Sequence, residues 1–336
     1  MMKKMLALVL ALMTVMGLPI VGQAENVTAL PRGSVIGIAW RADTDSEFFT
    51  NVCRAIEEAG GEWVMLDQVM SADLEYDDHG TLTANVDERG ALDAVGAKYV
   101  RCNTWYGSNA PEAVGNVSMV IFTGGEDISS TLFYEPEEWH GIEAEIDYNA
   151  ARDVSDYLTM AYCLDHDIPV IGFCRGMQML AVVSGAQMIQ DIPTYFAGLS
   201  LAYAYEHRNE KATPDSYRDY VPHDVHVAED SLLFDMVGTD TLTGCPSWHH
   251  QAVLNVDCTR LVVTGYTETS GIRMIEAIER TDKTFAVGLQ FHPEAAIVKN
   301  LDNAENKENF MDYDTALSIF RRLVQGEPAE ELQEAS

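Results

Sequence analysis

IPVIGFCRGMQ, residues Ile168 to Gln178, is the stretch on which the fold turns. Ile168 to Phe173 is a fully apolar, β-branched run of strand length, and helical spacing begins at Arg175. Cys174 stands at the junction, with Gly172 two residues before it and Gly176 two residues after. Small residues at those positions permit a sharp, strained turn that lifts the intervening side chain above a sheet edge. The start of a helix also favours thiolate over thiol, because free N–H groups and the helix dipole face the sulfur. Cys174 therefore reads as a nucleophile, whereas Cys163, on the apolar face of the preceding helix, reads as an inert core cysteine.

Outward from this stretch, strand-like and helix-like runs alternate. Ser34 to Trp40 is a strand, Ser46 to Gly60 a helix, and Glu62 to Leu66 a second strand. Val117 to Phe122 (VSMVIF) is a further strand, closed by Thr123-Gly124-Gly125, and Ala151 to His166 has helical spacing. From Val221 the strands are shorter and separated by turns, ending in FAVGLQF from Phe285 to Phe291, and Asp312 to Gln325 is an amphipathic helix. Apolar strands alternating with helices imply an α/β fold: a mostly parallel central sheet with helices on both faces, plus a small antiparallel β portion. With no internal repeat or linker, residues 25–326 read as one catalytic domain. Glu135 to Asp147 and Thr194 to Tyr220 resist assignment and read either as lids and binding loops or as surface decoration.

The N-terminus has the layout of a secretory signal. Two lysines precede an uncharged run from Met5 to Gly22, and Gly22-Gln23-Ala24 supplies small residues for cleavage after Ala24. An uncleaved anchor is the alternative, since the run approaches the ~20 residues that span a bilayer, but Gly17 and Pro19 interrupt it. Residues 1–24 are thus expected to direct export to the periplasm, cell surface or medium. Residues 327–336 are acidic and aperiodic, and read as a disordered tail. Six cysteines, at 53, 102, 163, 174, 245 and 258, are scattered without zinc-type spacing, and one or two disulfides are compatible with export. The 336 residues carry 53 acidic and 21 basic side chains, a formal charge of −32 that repels nucleic acid and anionic lipid.

A thiolate that attacks an amide needs a base, a group to orient the base and donors for the oxyanion. Phe291-His292-Pro293-Glu294 follows the late apolar strand. His292 can take and return a proton, Glu294 can hold its tautomer, and Pro293 stops the strand from continuing. Taken alone, a H-P-E tripeptide or the pair Gly124-Gly125 is a common surface turn. Each gains weight from the others.

Taken together, GFCRGMQ, FTGGEDIS and FHPE resemble the class I glutamine amidotransferase-like fold, which is flavodoxin-like. More narrowly they resemble its γ-glutamyl hydrolase branch (peptidase C26-like), which includes γ-glutamyl-γ-aminobutyrate hydrolases. Gly185 to Ile192 and Ser247-Trp248-His249-His250-Gln251 match the same branch, so the resemblance runs from about Ile36 to Glu294. It implies that Cys174 attacks a γ-glutamyl carbonyl and that the backbone N–H groups of Gly125 and Arg175 hold the oxyanion. It further implies that His292 protonates the leaving amine and then activates water. Gln178, one helical turn past the cysteine, is expected to touch the glutamyl group, and Ser247 and His250 to bind its amino-acid end. Thr123 stands where the family often has Pro, and Ser270-Gly271 where Asp-Gly is frequent; neither touches the chemistry. Export is a larger departure, because the best-known γ-glutamyl-γ-aminobutyrate hydrolases are cytoplasmic.

His223 and His226 fall three apart in a strand-like run and so face opposite sides, while His79, His140, His166 and His207 are isolated. No metal or cofactor is expected from this pattern. The expected partner is a small γ-glutamyl substrate, with no nucleic acid and no stable membrane partner; a homodimer is compatible with the sequence. Two other functions stay open: a glutaminase subunit that supplies ammonia to a partner, and a non-catalytic binding protein on the same fold. The leaving group and the oligomeric state are not legible.

Overall fold

Five short apolar segments pair in parallel at the centre of the computed structural model, which describes residues 35–136, 139, 141–210 and 218–325. The chain enters β1 (Ile36–Ile38), crosses through α1 (Glu47–Glu58) and returns in β2 (Trp63–Met65). After a turn-rich stretch come α2 (Ala94–Asn103), α3 (Ala110–Val114) and β3 (Met119–Phe122). Then α4 (Ala150–Asp165) leads to β4 (Val170–Phe173) and α5 (Arg175–Val183). A small excursion follows through β5 (Gln187–Ile189) and α6 (Ile192–Gly198), and then β6 (Val221–Val227), α7 (Leu232–Val237) and β7 (Thr241–Ser247). The chain continues through β8 (Ala252–Asn255), β9 (Leu261–Thr269), β10 (Ile272–Arg280) and β11 (Ala286–Leu289) to α8 (Pro293–Leu301) and α9 (Tyr313–Gln325).

The main sheet has the order β2-β1-β3-β4-β11-β10-β9-β6-β7. From β2 to β11 every neighbour is parallel, and from β11 to β7 every neighbour is antiparallel. The antiparallel portion expected from the sequence is thus an extension of the same sheet, while β5 and β8 form a separate two-stranded ribbon. Alternation along the buried strands sends side chains to both faces. Met119 and Ile121 of β3 join Ile171, Phe173, Val287 and Leu289 beneath α1, α8 and α9. Val120 and Phe122 face the other way, with Val170 and Ala286, against α2, α4 and α5. Each of these fully buried aliphatic or aromatic side chains contributes on the order of 1.5–3 kcal/mol as an upper estimate.

This topology decides where a site can form. The first two crossovers run in opposite directions from β1, which opens a crevice at the carboxyl ends of β1 and β3, the usual ligand position in such sheets. Arg41, Gly124-Gly125, Cys174 and His292 follow β1, β3, β4 and β11, so all four leave the sheet on that side.

Residues 1–24 and 327–336, read as signal and tail, lie outside the described residues. Among the described residues no helix is long and apolar enough to cross a membrane. All six cysteines are unpaired, Cys102 and Cys258 being exposed and the other four buried.

Candidate active site

The turn at Cys174 is built from steric exclusion. Cys174 has φ 50° and ψ −106°, a strained backbone for a residue with a side chain. It is held there by its own N–H, which donates to Leu289 O of β11 at 2.7 Å, and by Gln178 N, which donates to its carbonyl at 3.1 Å. A Cβ on Gly172 would lie 2.2 Å from the Gly176 carbonyl carbon, and one on Gly176 would lie 2.3 Å from Phe122 O. Only glycine lets β4, β3 and the start of α5 approach this closely. Cys174 keeps 5% exposure, and its Sγ lies 3.8 Å from Trp248 O.

His292 caps α8, with its N–H donating to Pro246 O of β7 at 2.8 Å. Pro293 occupies the first helical position, which puts Glu294 in the first turn, and both His292 and Glu294 are fully buried. His292 Nδ1 and Glu294 Oε1 are 2.6 Å apart. Nε2, at the other edge of the ring, makes no complete hydrogen bond among the described residues and is close enough to Cys174 for the sulfur to stabilise a proton on it. Burial opposes charge on the ring, but Glu294 and then Cys174 outweigh it and raise the His292 pKa to about 10. Phe48 and Tyr220 pack on the imidazole with centroids 5.3 and 5.2 Å away, and Trp248 meets both rings edge-on. A Cβ on Gly124 would meet His292 Cε1 at 2.8 Å and Cys174 Cβ at 3.5 Å, so this glycine lets imidazole and cysteine sit side by side.

The loop after β3 is clamped from behind. Arg152, 1% exposed on α4, donates to Thr123 O and Gly124 O, each at 3.0 Å, and pairs with Glu126. Arg41 adds a bond to Gly124 O at 3.2 Å. In a planar trans peptide the N–H points opposite the carbonyl, so pinning Gly124 O turns the Gly125 N–H away from the guanidinium groups. Gly125 lines the pocket with φ 140°, and any Cβ there would strike Arg152 Nη1. The Arg175 side chain is directed away from the pocket, to Asp153 at 2.6 Å and to Asp156, and its backbone N–H opens α5 directly after Cys174. Neither the Gly125 nor the Arg175 N–H has an acceptor among the described residues.

Cys174 and Gly125 line a pocket of about 570 Å³, with His292 and Arg175 behind its wall. Its lining mixes Arg41, Arg208 and Arg218 with Asp43, Glu126, Asp127, Glu145 and Asp147. Both segments left unassigned above reach it: Glu145 from one pairs with Arg208 and Arg218 from the other. Gln178 lines the pocket, although its amide nitrogen is held by Gln251 O at 2.8 Å and Gln290 Oε1 at 3.2 Å. His250 also lines it, bridging Asp127 (2.8 Å) and Asp191 (3.0 Å) through its two ring nitrogens. Both acceptors are carboxylates, so the ring is a doubly donating cation. Burial is overcome by the two aspartates, and its pKa rises to about 9. Ser247 is drawn elsewhere: fully buried at the end of β7, it donates to His207 O at 2.9 Å and is not part of the pocket wall.

Arg41, Arg152, Phe48 and Trp248 were not legible as site residues. Arg41 had one weak sign, a basic residue just past an apolar strand; Arg152 lies on a helix face that nothing local marks as functional.

A parallel sheet of this order, with a G-x-C-x-G turn after β4 and a H-P-E turn after β11, defines the class I glutamine amidotransferase-like fold. Within that class the chain belongs to the Peptidase C26 family, whose model matches residues 93–294, more than half of the sequence and all of the site except the β1–α1 side. Protein NtpR of Enterococcus hirae is 28% identical over 181 residues, 54% of this chain and 68% of that protein. A putative glutamine amidotransferase of Mycobacterium tuberculosis is 28% identical over 223 residues, 65% of this chain and 63% of its own. The γ-glutamyl-γ-aminobutyrate hydrolase PuuD of Escherichia coli is 27% identical over 150 residues, 45% of this chain and 55% of its own. A solved glutamine amidotransferase from Thermotoga maritima superposes on 86% of this chain and 90% of its own, with 17% identity and a TM-score of 0.41.

Proposed function

We propose that this chain is a cysteine hydrolase that cleaves γ-glutamyl amide bonds through a glutamyl thioester. The observation that carries the reading is the state of His292: its Nδ1 is held by Glu294, and its unpartnered Nε2 is on the Cys174 side. A ring that keeps its proton through neutral pH favours an imidazolium beside a thiolate. The thiolate adds to the γ-carbonyl carbon, and the oxygen takes the negative charge between the Gly125 and Arg175 N–H groups. Collapse of that adduct breaks the C–N bond, and His292 gives its Nε2 proton to the departing amine. Water then enters, His292 takes one of its protons, and hydroxide adds to the thioester carbon. Expulsion of the thiolate releases glutamate and restores the pair. The mixed charge of the pocket suits the zwitterionic end of a glutamyl group, with arginines for its α-carboxylate and carboxylates for its α-ammonium.

The mature protein is expected to release glutamate from a γ-glutamyl anilide, and Cys174→Ala to abolish release. Unchanged turnover in that variant rejects the mechanism. Export through residues 1–24 belongs to the same proposal. Expression of the full chain in a secreting bacterial host should yield exported protein beginning at Glu25, and retention of Met1 in the cytoplasm would refute it.

A further inference from the structure

Against the pocket, which His249 itself lines, four side chains from four separate segments meet. His207 precedes the pocket residue Arg208, His223 lies on β6, His249 follows β7 and Glu276 is on β10. Glu276 and His207 are fully buried, His249 is 3% exposed and the His223 side chain 8%. His207 Nδ1 and His249 Nε2 lie 3.2 and 3.8 Å from Glu276 Oε1, and His223 Nε2 lies 3.3 Å from Oε2. All five of these atoms lack a hydrogen-bond partner among the described residues.

The far side of each ring is engaged. His223 Nδ1 is 3.1 Å from Glu206 O, His249 Nδ1 is 2.9 Å from Gln251 O, and His207 Nε2 is 2.9 Å from Thr269 Oγ1. A carbonyl only accepts, so in His223 and His249 the Nδ1 carries the proton. The Nε2 atoms of both rings and Nδ1 of His207 thus converge on one buried carboxylate, where a single cation can satisfy several of them at once. Protons fit poorly in that place. Charge-assisted N–H···O contacts close to about 2.7–2.9 Å, and these contacts stay longer and misaligned. A tetrahedral metal with bonds of about 2.0–2.1 Å needs ligand atoms roughly 3.3–3.4 Å apart; His207, His223 and Glu276 bring theirs within 4.8 Å of one another, a carboxylate oxygen each lying 3.2 and 3.3 Å from the two rings. Ring nitrogens oriented by a carbonyl or hydroxyl on the other side are what metal-binding histidines require.

We propose that His207, His223 and Glu276, whose ligand atoms all lie within 4.8 Å of one another, bind a divalent transition metal ion, with zinc the best match to two imidazoles and one carboxylate and His249 beside them. Hard, oxygen-seeking calcium and magnesium are excluded by the same ligands. The burial of His207 and Glu276, and their separation from Cys174's chemistry, give the ion a structural role. The ion would tie the segment carrying Arg208 to strands β6 and β10, beside the β7–β8 turn that carries Trp248 and His250, as one support for the pocket. Local sequence gives no sign of it: His223 and His226 do point apart, but His223 finds its partners 16, 26 and 53 residues away in the chain.

Protein stripped with a chelator and dialysed should take up about one equivalent of zinc per chain and melt at higher temperature when loaded. Cobalt(II) should give the visible absorption of a tetrahedral site without a near-ultraviolet thiolate-to-cobalt band. Uptake should survive Cys174→Ser and be lost in His223→Gln. If His223→Gln does not fold, the wild-type cobalt spectrum decides. The proposal is overturned if neither uptake nor melting responds to zinc, if a thiolate band appears, or if Cys174→Ser, rather than His223→Gln, loses the metal.

Discussion

Gly172 and Gly176 face each other across the Cys174 turn so closely that a Cβ on the first would overlap the backbone of the second, at 2.2 Å from its carbonyl carbon. The contact is backbone to backbone, so no side chain can rotate away to relieve it. Gly172→Ala should therefore cost about 3 kcal/mol, the upper end of overpacking penalties, and displace the sulfur by enough to remove turnover. Urea unfolding midpoints with an unchanged slope would measure the cost. A variant as stable and as active as wild type would show that the turn is far more pliable than this packing implies.

His292 supplies the second prediction. Its raised pKa, held up against burial by Glu294 and Cys174, keeps the ring protonated through neutral pH and releases the proton near pH 10. The value of kcat/KM should therefore hold through the alkaline range and fall as pH climbs past about 10. Glu294→Gln removes the largest influence that raises it, so the alkaline limb should move down and kcat should drop by roughly 10²–10⁴-fold. A limb that stays in place would detach Glu294 from the titration.

How far these features could be read in advance depends on how local their cause is. The strands Ile168 to Phe173 and Val117 to Phe122 are buried on both faces and so are apolar throughout, a signal that survives without tertiary context. Cys174, His292 and the Gly124-Gly125 pair announce themselves because strained turns demand glycine or proline beside the reactive residue. The region between β2 and β3 was left unread: it is short helices joined by tight turns in which Asp77 and Asp87 accept backbone N–H groups, and no hydrophobic period is long enough to show. Arg152 and Glu276 were silent because their meaning lies wholly in which distant backbone or imidazole they meet. Ser247 ends its strand where the sequence places it, and its hydroxyl donates to His207 O.

Arg152 leads to a third prediction. It fixes the orientation of Gly125 without touching the pocket space that a substrate would fill, so its loss should act on the oxyanion donor more than on binding. Arg152→Lys cannot reach Thr123 O, Gly124 O and Glu126 at once. Its kcat should fall by roughly 10²-fold, with KM changed only a few-fold. Arg152→Ala removes the cation paired with Glu126 and one of the two that face the buried Asp156, which keeps Arg175, and should lose on the order of 3 kcal/mol of stability. Steady-state kinetics separates these cases: a rise in KM at constant kcat would assign Arg152 to binding.

His250 lies between two carboxylates, Asp127 and Asp191, and its folded pKa of about 9 exceeds the ordinary value of 6.5. For a group whose pKa is raised by folding, the stabilisation is complete below the unfolded value and is lost as pH rises through the folded one. The bridge should therefore contribute fully at pH 6, decline above pH 7 and be largely gone above about pH 9. His250→Gln leaves two buried carboxylates facing each other without a cation and should cost about 3–5 kcal/mol at pH 6. The decisive measurement is the difference in unfolding free energy between wild type and His250→Gln at pH 6 and at pH 9.5. That difference should shrink towards alkaline pH, because the wild-type ring loses its charge while the glutamine never had one. A difference that stays constant would mean that His250 holds the pocket wall by shape and neutral hydrogen bonding, with no charge on its ring.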